Sequence, residues 1–272
     1  MEMNGRIIIT GASGGMGSAA TRALAAKGIP VTMACRNLQK AEEVRTEILR
    51  DIPSADLKIK ELHLDSFRSI RTFADSIVDG QTAGLFNNAG TMPRRFSLSE
   101  DGYELTLAVN YLGPWLLTRL LMPKMARDSA IVNMVSISSA NARIRSDFPH
   151  EQASEFSQIG SYAESKLALM YFTIGLASRC TMRVSAADPG IVDTGIIRLD
   201  RWFDPLTDLI FRPFCNSPAK GAAPAVRALL SPRGGMLFSV RGDRDFPSRY
   251  TRRADDIKRI WDITERELEQ WI

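Results

Sequence analysis

Cysteine and histidine are both scarce in this sequence. Its three cysteines, Cys35, Cys180 and Cys215, are odd in number and never spaced C-x-x-C, which excludes a disulfide framework and a thiolate metal site. Two histidines, His63 and His150, are too few for a centre built from several imidazoles, so no metal site is expected. Long apolar runs are missing too: the uncharged stretch 167–178 falls well short of the roughly 20 residues a membrane span needs, so no transmembrane segment is expected. The opening residues carry Glu2 and Arg6 without the apolar core of a leader peptide, and the expectation is a cytoplasmic protein. Charge of one sign is not in excess either. Lys and Arg number 35 against 31 Asp and Glu, and the net charge of +4 is too small to imply a nucleic-acid partner, although it suits a multiply phosphorylated cofactor.

What is present is enough apolar residue to fill a core: 44% of the 272 residues are hydrophobic and 24% charged. Short β-branched runs alternate with longer amphipathic segments, the pattern of β-α-β units around a mostly parallel sheet. The pattern predicts strands over 6–10, 31–35, 57–64, 84–87, 130–135, 183–188 and 236–240. It places helices over 17–27, 38–51, 66–78, 101–125, 161–178, 218–230 and 254–271. This is an α/β, doubly wound (Rossmann) parallel sheet of about seven strands with helices on both faces. No repeat, low-complexity tract or linker divides 1–272, so a single domain is expected.

Residues 195–217 break the alternation, with Ile196, Leu199, Trp202 and Phe203 interleaved with Arg198, Asp200 and Arg201. The segment reads as a substrate lid, as a packed helix pair, or as a subunit or membrane contact. Its apolar character points to a hydrophobic substrate. The Arg-rich end, with Arg244, Arg249, Arg252, Arg253, Lys258 and Arg259 among Asp243, Asp245, Asp255 and Asp256, reads as a solvated, salt-bridged surface.

The first strand runs into Thr10-Gly11-Ala12-Ser13-Gly14-Gly15-Met16-Gly17 and then a helix of small residues. Glycines allow the tight turn and the close approach of backbone to a pyrophosphate, and the helix N-terminus supplies free N–H groups. Ser13 and Met16 lie within the same loop. The second strand ends in Arg36 and Asn37, where a site for the unphosphorylated cofactor usually carries an acid. A guanidinium there pairs with a 2′-phosphate, so NADP(H) is the preferred cofactor, with NAD(H) the alternative. Asp65 and Ser66 after the third strand, and Asn88, Ala89 and Gly90 after the fourth, fall at the sheet edge where open α/β folds bind ligands.

Of the five tyrosines only Tyr162 has a lysine four residues on, Lys166, which puts both side chains on one helix face. In order, the glycine loop, Asn87-Asn88-Ala89-Gly90, Asn110, Ser136, Tyr162-x-x-x-Lys166 and Pro189-Gly190 resemble the short-chain dehydrogenase/reductase family, over nearly the whole chain. The loop also fits, through Gly14, the spacing of the longer epimerase-like branch. Ala34-Cys35-Arg36, Val109-Asn110-Tyr111-Leu112-Gly113-Pro114 and a long insert between Ser136 and Tyr162 resemble the retinol-dehydrogenase-like group.

The resemblance implies sheet order 3-2-1-4-5-6-7 and an oxidoreductase that interconverts a carbonyl and an alcohol on a small-molecule substrate by hydride transfer. Tyr162 would be the general acid or base, with Lys166 lowering its pKa and bonding the nicotinamide ribose. Ser136, or Ser138 as runner-up, would hold the substrate oxygen, and Asn110 a water. Pro189, Gly190, Ile191, Val192 and Thr194 would surround the nicotinamide. It further implies a homodimer or homotetramer packed through the helices near 101–125 and 161–178. Two other readings stand beside it: a catalytically silent NADP(H)-sensing or scaffold protein, and an epimerase or dehydratase that retains its cofactor.

Overall fold

In the first strand, β1 (Arg6–Thr10), three consecutive isoleucines send alternate side chains to opposite faces: Ile8 joins one apolar core, Ile7 and Ile9 the other. A strand buried on both sides needs helices on both sides. The computed structural model, which describes residues 5–192 and 216–272, has that arrangement.

Strands β1, β2 (Val31–Cys35), β3 (Leu57–Glu61), β4 (Thr82–Asn87), β5 (Met125–Met134), β6 (Arg183–Asp188), β7 (Met236–Ser239) and β8 (Arg244–Asp245) form one sheet in the order β3-β2-β1-β4-β5-β6-β7-β8. All neighbours are parallel except β7 and β8. The sheet thus has eight strands where about seven are expected, because β8 is two charged residues long and shows no period. Helices α1 (Gly15–Ala25) and α2 (Leu38–Asp51) cover one face together with α6 (Pro218–Leu230). On the other face lie α3 (Phe67–Asp75), α4 (Gly113–Leu121), α5 (Gln158–Ala177) and α7 (Ala254–Glu267).

The single helix expected over 101–125 is broken. Glu104 accepts hydrogen bonds from the N–H groups of Thr106 (2.8 Å) and Leu107 (2.9 Å), starting a helical turn at Leu105. A π-helical turn, Ala108–Leu112, carries Asn110 and leads into α4. A 3₁₀ turn containing Pro123 ends the segment, and β5 starts at Met125. Strand β3 stops at Glu61, and α3 begins at Phe67 because the Ser66 hydroxyl caps it.

Helix α5 is buried over the whole run from Ser165 to Thr173, wedged between the sheet and α7. Trp261 of α7 stacks on Phe172 with centroids 5.8 Å apart, meets Trp115 at 6.1 Å and lies under the Arg179 guanidinium at 4.4 Å. Each such aromatic pair is worth about 1 kcal/mol beyond its buried area. Tyr111, Leu112, Trp115, Leu116, Met170, Tyr171 and Phe172 are all buried inside the chain by this packing, so these side chains supply no subunit interface.

Among the described residues no helix is long and apolar enough to cross a membrane. Thr194, Cys215 and all of the 195–217 insert except Asn216 and Ser217 lie outside the described residues. The ends that flank that span are joined, since Val192 bridges Asn216 and the Asn216 N–H donates to the Ile191 carbonyl at 2.7 Å.

Candidate active site

The carboxyl ends of β1, β2 and β4 open on a cleft of about 460 Å³. Gly11 leaves β1 with φ +63°, and a Cβ there would sit 3.1 Å from Ala89. Gly17 lets α1 settle on the turn: its Cβ would lie 2.2 Å from the Gly11 carbonyl oxygen. Thr10 laces β1 to β4, its hydroxyl accepting from the N–H groups of Asn88 and Ala89, both at 3.0 Å, while Asn88 Nδ2 donates to the Thr10 carbonyl at 2.9 Å. Gly11 and Gly17 are therefore required by the polypeptide itself.

Gly15 is different. A Cβ at Gly15 would meet only carbons of Pro218, at 3.5 Å, so nothing in the chain demands glycine there. Helix α1 begins with no side-chain cap and no acid in its first turn, leaving its N–H groups facing the cleft. Uncapped donors beside a bare glycine fit a pyrophosphate. The cleft is lined by Gly11, Ser13, Gly14, Gly15, Met16, Gly17, Arg36, Asn37, Asp65, Asn88, Ala89 and Gly90, all expected cofactor residues.

Lys40 lines it as well, and the sequence reading passed it over. The signal was available: Asn37 caps α2 by accepting from the Lys40 N–H at 2.8 Å, and Lys40 follows Arg36 by one helical turn. Two exposed cations thus stand together at the β2 end of the cleft. Ser66 does not reach the cleft. At the end of β2 Cys35 is buried, and burial pushes its thiol up in spite of hydrogen bonds with Ser13.

The catalytic candidates meet where β4 and β5 end. Lys166 is 3% exposed and donates from Nζ to the Met134 carbonyl at 2.9 Å. A Cβ on Gly90 would fall 3.3 Å from Asn110 Oδ1 and 3.6 Å from Lys166 Nζ, so both side chains converge over Gly90 at the end of the cleft. The Asn110 carboxamide is held at both ends: Oδ1 accepts from the Thr91 N–H at 2.8 Å, and Nδ2 donates to the Thr91 carbonyl at 3.0 Å and to Ser165 Oγ at 3.1 Å.

Tyr162 shares a hydrogen bond with the side chain of Ser136, which follows β5. The Ser138 hydroxyl donates to Ser136 Oγ at 3.0 Å, and Ser139 turns away to the Ser136 carbonyl and Tyr250. Of the three hydroxyls in this turn, that of Ser136 is thus the one set beside Tyr162.

The electrostatic balance in the chain alone differs from the expected one. Burial pushes the Tyr162 phenol above its ordinary value, against the Ser136 hydrogen bond and helped by the Asp188 charge. Desolvation also lowers Lys166, to about 8. The Lys166 ammonium is 5.8 Å from the Tyr162 ring centre and bonded to Met134, which is why it does not hold the phenol down.

Gly190 turns with φ +68°, and Pro189, Gly190, Ile191 and Val192 follow β6 beside this centre. Val192 packs tightly on Gly221, where a Cβ would meet it at 2.6 Å, and Met16 lies against the same glycine. The segment is thereby joined to the glycine loop. Gly190, Ile191 and Ser136 face a second hollow.

The comparisons agree with this geometry. The pattern of the short chain dehydrogenase family matches residues 6–201. Retinol dehydrogenase 12 of Homo sapiens is 33% identical over 269 residues, covering 95% of this chain and 84% of that protein. The crystal structure of an uncharacterized protein from Mycobacterium paratuberculosis superposes with a TM-score of 0.78 at 27% identity, over 96% of this chain and 92% of that one. A short chain dehydrogenase from Shigella flexneri, complexed with NADP, shares the fold with a TM-score of 0.66 at 20% identity, over 88% of this chain and 100% of that one. A helix N-terminus left open beside Gly15, and a tyrosine, serine and lysine gathered at the next strand ends, therefore have their explanation in descent: the chain belongs to the short chain dehydrogenase family, NAD(P)-dependent oxidoreductases of CH–OH groups and their carbonyl counterparts.

Proposed function

We propose that the protein is an NADP(H)-dependent enzyme that interconverts an alcohol and a carbonyl, with Tyr162 moving the proton. The observation that carries this reading is the convergence of Lys166 and Asn110 over Gly90, at the end of a cleft whose other end holds Arg36 and Lys40. The uncapped start of α1 binds the pyrophosphate, and the two cations select the 2′-phosphate. When bound, the nicotinamide supplies or accepts the hydride.

The chain's own groups do the rest. A phenol held above its ordinary value keeps its proton at neutral pH, so Tyr162 is set to donate that proton from Oη to a carbonyl oxygen. Ser136, already bonded to Tyr162, shares that oxygen and keeps it in line. Asn110, fixed by Thr91 and Ser165, holds the strand end and α5 in register, which keeps Lys166 at the end of the cleft where it would bond the nicotinamide ribose. Alcohol oxidation runs the same path in reverse. The relatives' name, retinol dehydrogenase, supports an alcohol as one partner of the reaction.

Titration of NADPH and NADH into wild type and Arg36→Asp, followed by fluorescence, tests the cofactor. The expected result is NADPH preference that falls about tenfold or more in the variant. Equal NADH binding, unchanged in the variant, would overturn the NADP assignment. For the chemistry, Tyr162→Phe should lower turnover of a neutral aldehyde by about a thousandfold while NADPH affinity holds. A variant as active as wild type would remove Tyr162 from the proton path, and binding without turnover in wild type would favour a silent sensor.

A further inference from the structure

A second hollow, of about 740 Å³, opens beside Ser136 at the carboxyl ends of β5, β6 and β7. Ser136, Gly190 and Ile191 form its inner end, so it begins at the reacting centre. Val135, Ile137 and Met170 give it an apolar wall. Among the described residues its rim is strongly cationic: Lys220 from the first turn of α6, Arg241 after β7, Arg244 on β8 and Arg249 all line it, against the carboxylate of Asp188.

Three acids of the Arg-rich end are paired elsewhere. Asp243 pairs with Arg227 at 2.6 Å, Asp245 with Arg233 at 3.6 Å and Asp256 with Arg253 at 3.4 Å. Asp188 Oδ1 accepts from the Gly190 N–H at 2.9 Å. Among the described residues, Lys220, Arg241, Arg244 and Arg249 have no ion pair. The Arg-rich end is thus not uniformly salt-bridged: part of it is paired outward and part turned to the hollow. Arg249 is anchored over the Tyr250 ring at 5.2 Å, and the Tyr250 hydroxyl meets Ser139 Oγ at 2.9 Å, which ties the rim to the turn that carries Ser136.

Like charges gathered in a recess repel one another and focus a positive field, which an incoming anion relieves. Two arginines also offer the forked donors that match a carboxylate. The cofactor's phosphates are served elsewhere, by the α1 N-terminus, Arg36 and Lys40, on the other side of β4 in the sheet order.

We propose that this hollow is the substrate subsite and that its rim recognises an anionic group, a carboxylate, at the far end of a substrate with an apolar body. The proposal rests on the reading of Ser136 and Tyr162 as the reacting centre. It deepens that reading by naming the substrate class: an amphipathic alcohol or carbonyl acid rather than a neutral one.

The test compares ω-hydroxyoctanoate with 1-octanol by calorimetry on the full chain, in wild type and in the Arg241→Ala/Arg244→Ala double variant. Both arginines are exposed and unpaired among the described residues, so the variant should keep the wild-type Tm. The acid should bind wild type about tenfold more tightly than the alcohol, and the preference should vanish in the double variant and shrink in high salt. Turnover with NADPH should favour ω-oxooctanoate over octanal through KM, and that advantage should be lost in the double variant. Equal binding of acid and alcohol would overturn the proposal, as would a preference that survives the double substitution. Failure to reduce either aldehyde would count against the oxidoreductase reading alone, since calorimetry reads the subsite without turnover.

Discussion

The two halves of the sheet make their sites from different materials. On the side of β1 to β4, the cleft is backbone: a glycine turn, an uncapped helix start and strand ends laced by Thr10 and Asn88. On the side of β5 to β8, it is side chains brought from distant segments, with Arg145 reaching Glu151 and Glu164 while Arg241, Arg244 and Arg249 gather around one hollow. Backbone geometry tolerates almost any substrate and asks for one cofactor. Side-chain geometry can change with a few substitutions, which is how one scaffold serves many substrates.

The largest expected effect breaks the side-chain half. Arg145 lies in the insert that separates Ser136 from Tyr162, and it pairs with Glu151, whose side chain is 1% exposed, and with Glu164 at 3.1 Å. The Arg145 N–H also donates to Glu164 Oε1 at 2.7 Å, and Ser161 donates to Glu151 at 2.8 Å. Glu164 sits on α5 between Tyr162 and Lys166, so this buried network fastens the insert to the catalytic helix. Arg145→Ala strands two buried carboxylates and should cost about 4 kcal/mol of stability in urea unfolding. Burial already holds the Glu164 carboxyl above the usual range. The loss should therefore shrink as pH falls and that carboxyl takes a proton, and Glu164→Gln in the Arg145→Ala background should recover part of it. A loss under about 1 kcal/mol would show that the insert is fastened by something else.

A pair of glycines sharpens the backbone half. Gly17→Ala drives a Cβ to 2.2 Å from a carbonyl oxygen, and should cost about 2 kcal/mol with no cofactor present. Gly15→Ala meets only Pro218 at 3.5 Å, and should leave unfolding unchanged while weakening NADPH binding. Thermal melts and nucleotide titrations on the two variants separate the glycine that the fold requires from the one the ligand requires. Equal effects on stability would erase the distinction.

The same contrast governs what was legible beforehand. Strands β1, β2 and β6 and helices α2 and α6 fall on their expected bounds, because apolar period and caps such as Asn37 and Ser217 are local properties. The cleft residues from Gly11 to Gly90 follow from strand ends, which are also local. The π turn around Asn110 was hidden because one widened turn hardly alters the apolar period. Strand β8 was too short and charged to show a pattern. Nor could spacing show that Asp243 would pair with Arg227, sixteen residues away, since that choice is made by tertiary contact.

Lys166 stands at the seam of the two halves and gives the smallest and most specific effect. Burial lowers it from an ordinary 10.5 to about 8, so between those values the unfolded chain binds more protons than the folded one. Stability should then rise with pH through that window, the charge being carried in the folded protein at full cost below about 8 and absent above it. Lys166→Met removes the titration and leaves the packing. The stability difference between variant and wild type should narrow, in the wild type's favour, by about 1 kcal/mol between about pH 7 and about pH 9 in urea unfolding. A gap that stays flat across that range would mean that the buried amine is still charged at pH 9, like the unfolded one. That result would show that the hydrogen bond to Met134, rather than desolvation, sets the state of this group, and the seam would then belong to the backbone half.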